Sequence, residues 1–457
     1  MRFPPPRRPA APGLGGDFGV PYPPFPFLPG AVITKMDVGT ESEGALLLAE
    51  EEEGDEGEGE AVRRAGEETL PGPGEVEAAL VTAAFVATFD ARTGNGLEWS
   101  APHDAALVGV EFKAIASGAH NITSDFTYFR TDSAFGLAHF HSRRVDSGPE
   151  RGVRVKSVGA LSPSYATLAL HSAFLQEQVR RQLDEPGQYE ALSEFYEQYR
   201  AVLPLTTELP TTQPPSSQLP STRTPLSWDR PLLQGHHAGC LSRLVSCFGP
   251  SVFCLWKLVL LRKRMLLYSP PPVGGACLHV LCCCCLGSHG QAGLGAVPPL
   301  KPLFYVSVAD IGSLESEVTY IACTTEKVFE DKTALYDVYV DRQSLRSHHS
   351  HLQGLLAPTR ADQSRYQQLV TQREVVSTGR DGSQNLDNGF LLTFFRELNA
   401  RVLGSLVRLA VSGVREVTKS DVCHMGLDPV ADQLFLADLI DLYAINVTIS
   451  ADNPCCP

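Results

Sequence analysis

Four consecutive thiols, Cys282, Cys283, Cys284 and Cys285, are the densest run of reactive side chains in the sequence, and His279 and His289 flank them. The run contains a C-x-x-C, which invites a zinc reading. A tetrahedral zinc site takes two ligand pairs separated by a loop, and no second pair at a spacing of about 12–20 residues accompanies this one. Thiols beside an apolar segment are also substrates for S-acylation, where a lipid chain adds about 0.8 kcal/mol of membrane affinity per buried methylene. The third reading treats these cysteines as small hydrophobes packed in a helix or strand, and it is the one we adopt. The His348-His349-Ser350-His351 run reads as a solvated loop with adventitious metal affinity. The ending Asn453-Pro454-Cys455-Cys456-Pro457 fails as a prenylation box, because Pro454 stands where the cysteine must be.

Covalent chemistry finds little else to use. The sequence holds no Gly-Lys pair and therefore no phosphate-binding P-loop; G-x-G-x-x-G, G-x-S-x-G and H-E-x-x-H are also missing. ATPase, dinucleotide-dependent dehydrogenase, α/β-hydrolase and zincin each lose their usual signature. Neither a catalytic residue nor a cofactor or metal ligand is assigned.

The 457 residues are 43% hydrophobic and 20% charged, enough for two or three cored domains and too polar for a multispan membrane protein. Formal charge is −14, but residues 1–78 hold 6 basic and 16 acidic side chains, so the other 379 carry only −4. Acidity is thus a property of one tail, and no clustered Lys and Arg suggest a nucleic-acid groove. The opening Met1-Arg2-Phe3-Pro4-Pro5-Pro6 lacks the apolar stretch of a signal peptide, which predicts a cytoplasmic chain whose cysteines are thiols. The sequons at Asn121 and Asn446 are then idle. Residues 251–268 are apolar but broken by Lys257 and Arg262-Lys263-Arg264, and they read as a buried helix and strand. The basic triplet reads as a solvated turn. Residues 276–297 are long enough to span a membrane but carry two His and four Gly, against a span.

The elements that must position any site divide the chain. Residues 1–78 are low in complexity and predict disorder; residues 204–239, rich in Pro, Thr and Ser, predict a linker. Between them, residues 79–203 begin with an apolar run, ALVTAAFVATF, that reads as a strand covered on both faces. Asp90 to Gly96, with Asn95-Gly96, reads as the turn of a hairpin into Leu97-Glu98-Trp99. A short helix near 110–116 and strands at 126–130, 135–141 and 153–161 follow. A helix opening at Ser162-Pro163-Ser164 aligns Tyr165, Leu168, Leu175, Val179 and Leu183, and a second aligns Tyr189, Leu192, Tyr196, Tyr199 and Leu203. Residues 240–345 alternate helix and strand: helices at 240–248 and 252–260, a strand at 265–269, a helical Cys-rich segment, then strands near 303–308, 318–322 and 335–340. Residues 346–457 read as mostly helical, with Asp387-Asn388 capping one helix, Asp428-Pro429 starting another and a short closing strand at 445–449.

Several stretches in order then carry a family resemblance: FVATFDARTGNGLEWSAP, DFTYFR, RVKSVGALSPSY, LWKLVLLRKRMLLYSPPPVG, FYVSVADI, ACTTEKVFEDKTALYDVYVD and the ending DNPCCP. Over about 79–203 and 240–457 the chain resembles the DENN-domain family. The resemblance implies an α/β, bilobal DENN module: a longin-like antiparallel sheet with helices, an α/β central lobe and a mostly helical C-terminal part. It implies a guanine-nucleotide exchange factor for a Rab-type small GTPase in membrane trafficking, cytoplasmic and recruited to membrane surfaces as a peripheral protein. Such a protein works by holding the nucleotide-free GTPase more tightly than the loaded one, which needs a surface and no nucleophile. A non-catalytic DENN scaffold that binds a GTPase is the alternative. The exchange surface would lie between the lobes, with contributions from the helix near Ser164 and the edges of the central lobe, and the resemblance assigns no GTPase contact to a numbered residue.

Overall fold

The computed structural model describes residues 80–145, 152–200, 241–288, 297, 300–378 and 384–450. The sequence readings of the tail 1–78, Leu203, the linker 204–239, His289 and the final Asn453–Pro457 lie outside them.

In the first half, β1 (Ala83–Asp90) and β2 (Gly94–Ala101) form the expected hairpin, followed by α1 (Val110–Ala114), β3 (Ser124–Arg130), β4 (Phe135–Arg144), β5 (Val153–Ser162), α2 (Tyr165–Leu170), α3 (Ser172–Asp184) and α4 (Glu190–Tyr199). The hairpin turn is shorter than Asn95-Gly96 suggests. Asp90 pairs with Gly94, and the Asp90 carboxylate accepts the N–H groups of Arg92 at 2.7 Å and Thr93 at 3.0 Å, closing the chain over Ala91–Thr93. Gly94 takes the left-handed φ of 84° there, and Asn95 and Gly96 belong to β2. The helix expected after Ser164 is two helices broken at His171, whose ring lies 4.9 Å from Phe195 and 4.5 Å from Tyr199. All five apolar residues of the expected face are buried.

The second half runs α5 (Leu241–Phe248), α6 (Val252–Leu260), β6 (Met265–Tyr268), α7 (Gly274–Leu286), β7 (Pro302–Tyr305), α8 (Ile311–Ser316), β8 (Ile321–Thr324), β9 (Val338–Asp341) and β10 (Ser344–Arg346). Leu241–Leu260 is 20 residues long and apolar enough to cross a membrane, but 67% of its most apolar stretch is buried in the fold. A third part, α9 (Arg360–Thr378), α10 (Gln384–Val411), β11 (Glu416–Val417), α11 (Lys419–His424), α12 (Gln433–Leu442) and β12 (Thr448–Ile449), is mostly helical. The closing strand pairs parallel to β11.

The two halves share one sheet of ten strands, ordered β10-β9-β6-β8-β7-β3-β4-β5-β1-β2. Strands β3-β4-β5-β1-β2 are antiparallel, β9-β6-β8-β7 are parallel, and the join is a parallel pairing of Phe129 in β3 with Tyr305 in β7. The fold is thus α/β with a mixed sheet, as the resemblance implies. Alternation along β1 explains its unbroken apolar run: Ala84 and Val86 face the large core under α3, while Ala83, Phe85 and Ala87 face a second core under α1. The rings of Phe85 and Phe129 lie flat over glycines of neighbouring strands. A Cβ on Gly159 would come within 2.3 Å of Phe85, and one on Gly136 within 2.2 Å of Phe129, so neither position accepts a side chain without moving an aromatic ring.

Candidate functional site: a cleft at the join of the two sheet halves

Helix α7 lies behind the join, packed on β3 of the first half and on β7 and β8 of the second. It is apolar on every side, as a helix wrapped by the fold must be. Its cysteines are the explanation of the thiol run. Cys282 and Cys283 have no exposure and Cys285 6%, all within cores or helix contacts. Cys284 is half-buried, and burial raises its thiol well above the ordinary value. Earlier on the helix, Cys277 donates to the Tyr128 carbonyl at 3.5 Å and lies 3.7 Å from the Cys323 thiol on β8. Small polarizable side chains let α7 sit close to the sheet. S-acylation at Cys282, Cys283 and Cys285 would need thiols that this packing withdraws from solvent.

The helix is anchored across the join by Asp125 of β3. Its carboxylate accepts N–H groups at the start of α7, from Val273 at 2.5 Å and Gly274 at 3.1 Å, and its own neighbour Phe126 at 2.8 Å. Burial pushes this carboxyl up to about 6, in opposition to those three bonds. Gly274 is needed here, because a Cβ would meet the Phe126 ring at 2.8 Å.

On the opposite face of the join the molecule is open. A cleft of about 490 Å³ lies at the carboxyl ends of β7 and β8, roofed by α1 and the turn that follows it. Crevices outside the carboxyl ends of parallel strands, where connections part, are where open α/β sheets take ligands. Each wall has a local cause. Phe89 continues the inward-facing series of Phe85 and Ala87, but the strand outruns the core there and the ring is 47% exposed. In α1, Val110 and Ala114 are buried and Phe112, on the other side of the turn, is 45% exposed. Asn95 holds α1 in place by donating to the carbonyls of Glu111 at 3.3 Å and Ile115 at 3.2 Å. From the second half comes Val308, 50% exposed, in the turn after β7. Three large apolar side chains therefore meet solvent around one crevice, far more than scattered surface residues do.

The polar end of the cleft is built on hydrogen bonds that cross the join. The Ser117 N–H donates to the Tyr305 hydroxyl at 3.1 Å, and that hydroxyl is 3.2 Å from the Thr325 hydroxyl. Lys113 of α1 pairs with Asp310 at 2.6 Å and also donates to the Arg130 carbonyl at 2.7 Å. Asp310 closes a capping box with Ser307, accepting its N–H at 2.9 Å. Glu326 accepts the Val308 N–H at 2.8 Å. Burial raises the Glu326 carboxyl above its ordinary value and the charge of Asp310 adds to this, against the bonds from Val308 and Ser117.

Residues named from sequence fall elsewhere. The helices after Ser164 pack on the face of β4 and β5 opposite the cleft. In the His348–His351 run the rings lie close but tilted, with 3.8 Å between the ring centres of His348 and His349, beyond β10. Among the described residues, no three His, Cys, Asp or Glu side chains gather as a metal site would require. Of the basic triplet, Arg264 is bound to Asp337 at 3.0 Å and Lys263 approaches Asp438 at 3.9 Å, so these two are structural contacts. Phe89, Phe112, Val308 and Glu326 carry no motif that marks them in the sequence. Phe89 merges with an apolar run, Phe112 sits in a helix of five residues too short to show a period, and Val308 and Glu326 sit in short turns where exposure has no sequence signature.

Comparison with known proteins falls on this same region. The family model for DENN domain-containing protein 11 matches residues 84–352, from β1 to beyond β10, which takes in every residue lining the cleft. The zebrafish (Danio rerio) DENN domain-containing protein 11 is 44% identical over 387 residues, covering 82% of this chain and 78% of its own. The Xenopus laevis protein of that name is 45% identical over 399 residues, covering 86% and 91%, and the rat (Rattus norvegicus) protein 46% over 396, covering 84% and 85%. With a mixed sheet joined at β3 and β7 and identity of this depth along most of its length, the chain belongs to the DENN domain-containing protein 11 family.

Proposed function

We propose that the chain is a guanine-nucleotide exchange factor for a Rab-type small GTPase, acting in membrane trafficking. It works in the cytoplasm and reaches membranes through the lipid-anchored GTPase it serves. The observation that carries this reading is the cleft at the join, where Phe89, Phe112 and Val308 stand exposed on a rigid frame within the family-matched region. An exchange factor lowers no covalent barrier. It gains by binding the nucleotide-free GTPase better than the loaded one, and such differential binding requires a preorganised apolar surface with few polar fixtures. The lack of a P-loop, G-x-G-x-x-G, G-x-S-x-G or H-E-x-x-H signature in the sequence fits that requirement.

The test is nucleotide release from a panel of Rab-type GTPases loaded with a fluorescent guanine nucleotide. One member is expected to release it at least about tenfold faster with the chain present, and Phe89→Ser with Phe112→Ser should remove most of that acceleration. Binding of a GTPase with release left at its intrinsic rate would leave a scaffold, and neither binding nor release would reject both.

A further inference from the structure

The cleft is lined by one charged side chain, Glu326. Its surroundings are unbalanced. Asp310 raises it, and Lys113 of α1 is committed to Asp310 at 2.6 Å and to the Arg130 carbonyl, so that among the described residues no ion pair reaches Glu326. The groups that meet Glu326 are donors without charge: the Val308 N–H at 2.8 Å and the Ser117 hydroxyl. His120, Ser307 and Asn95 complete the polar lining, with Asn95 turned to α1 and Ser307 bonded to Asp310. A half-buried carboxylate beside a second carboxylate is short of one positive charge, and the walls around it are aromatic and aliphatic.

From this we infer that the occupant of the cleft presents a Lys or Arg side chain to Glu326, next to an apolar side chain that fills the space between Phe89, Phe112 and Val308. The inference rests on the cleft being the docking surface and names the chemistry of the docking segment: a protein strand or loop with adjacent apolar and basic residues. Two features support a protein segment of that composition. The cleft's volume of about 490 Å³ exceeds that of a single side chain, and its charged lining residue is opposite in sign to a basic residue. The Glu326 carboxylate is already fixed by the Val308 N–H, so little ordering is needed when the cation arrives.

The probe is a pair of capped dipeptides, N-acetyl-phenylalanyl-arginine amide and its citrulline counterpart, which differ by charge at nearly constant shape. They are titrated into the full chain and followed by ligand-observed NMR. The arginine peptide is expected to bind about fivefold more tightly than the citrulline peptide, as one partly screened charge pair would give. In Glu326→Gln, which keeps an acceptor for Val308, the two should bind alike. Phe112→Ser should weaken both peptides and keep the preference. Equal binding to the unaltered chain, a preference that survives Glu326→Gln, or no binding of either peptide overturns the inference. The outcome is separable from that of the release assay. A GTPase accelerated by a chain without the arginine preference removes this inference alone, and a preference without any accelerated GTPase removes the exchange reading alone. For any accelerated GTPase, Glu326→Gln should also lower kcat/KM and flatten its dependence on salt.

Discussion

Two regions of this molecule place charge among aromatic rings, and they do it to opposite ends. Under the helical third part, Lys257 of α6 is 1% exposed and meets Asp362 at 2.5 Å and Asp432 at 2.6 Å. Arg365 holds the other oxygen of Asp362 at 3.0 Å, donates to the Gly426 carbonyl, and lies over the rings of Phe253 at 4.9 Å and Trp256 at 5.5 Å. Two cations answer two carboxylates, backbone N–H groups of Thr359 and Asp428 take up remaining acceptors, and the set is closed to solvent. At the cleft, Lys113 answers Asp310, Glu326 meets only uncharged donors among the described residues, and the rings stand open. Complete neutralisation inside a core fixes one arrangement of helices. Incomplete neutralisation at a surface leaves interaction energy for a partner. The contrast separates what holds the fold from what the fold offers.

The largest effect that could break this contrast is at Lys257. Lys257→Met leaves Asp362 and Asp432 with only Arg365 against them, and unfolding in urea should show a loss of about 3–5 kcal/mol. A loss below about 1 kcal/mol would mean that the network is not sealed. Next comes acid. His139, 7% exposed and 2.9 Å from the Ser172 hydroxyl, is held down to about 4 by burial and then by Arg180. A depressed histidine favours the folded state above its unfolded value, and that contribution is lost as pH falls from 6.5 through about 4. Stability of the unaltered chain minus that of His139→Gln should therefore shrink over this window by roughly 3 kcal/mol. Asp125 titrates in the same range with opposite sign, which is why the difference is the quantity to measure.

A smaller loss is expected from Gly159→Ala, whose methyl must displace the Phe85 ring or the strand: about 1–3 kcal/mol by thermal or chemical melting. Smallest of all is the effect on stability of Phe112→Ser, within about 0.5 kcal/mol because the ring is 45% exposed. The same variant should weaken docking, and a large loss of stability there would sharpen the contrast in the wrong direction, making the cleft part of the core.

Periodicity made the strands and the core helices legible, because each buries a regular face: β3, β4, β5 and α6 lie where the apolar runs put them. Readings that depended on a polar residue's partner went differently. Asp387 and Asn388 were expected to cap a helix, yet α10 starts at Gln384 and Arg373 grips Asp387 at 2.6 and 2.9 Å while Asn388 accepts the Ser242 N–H at 3.3 Å. Asp428-Pro429 opens a turn, and α12 begins four residues later than Pro429, after Asp432, whose carboxylate is taken by Lys257. Long-range pairing such as Phe129 with Tyr305 has no local signature, and the cleft is made at that pairing. The cysteine run was legible as packing because nothing near it supplied the rest of a reactive site.

The placement of α7 across the junction of β3 and β7 has a mechanical consequence. A hinge there would have to unzip strands and shear a 13-residue rod from its bed on both sides at once. The described frame therefore resists bending along this line, and a partner docked at the cleft would meet a surface set before it arrives.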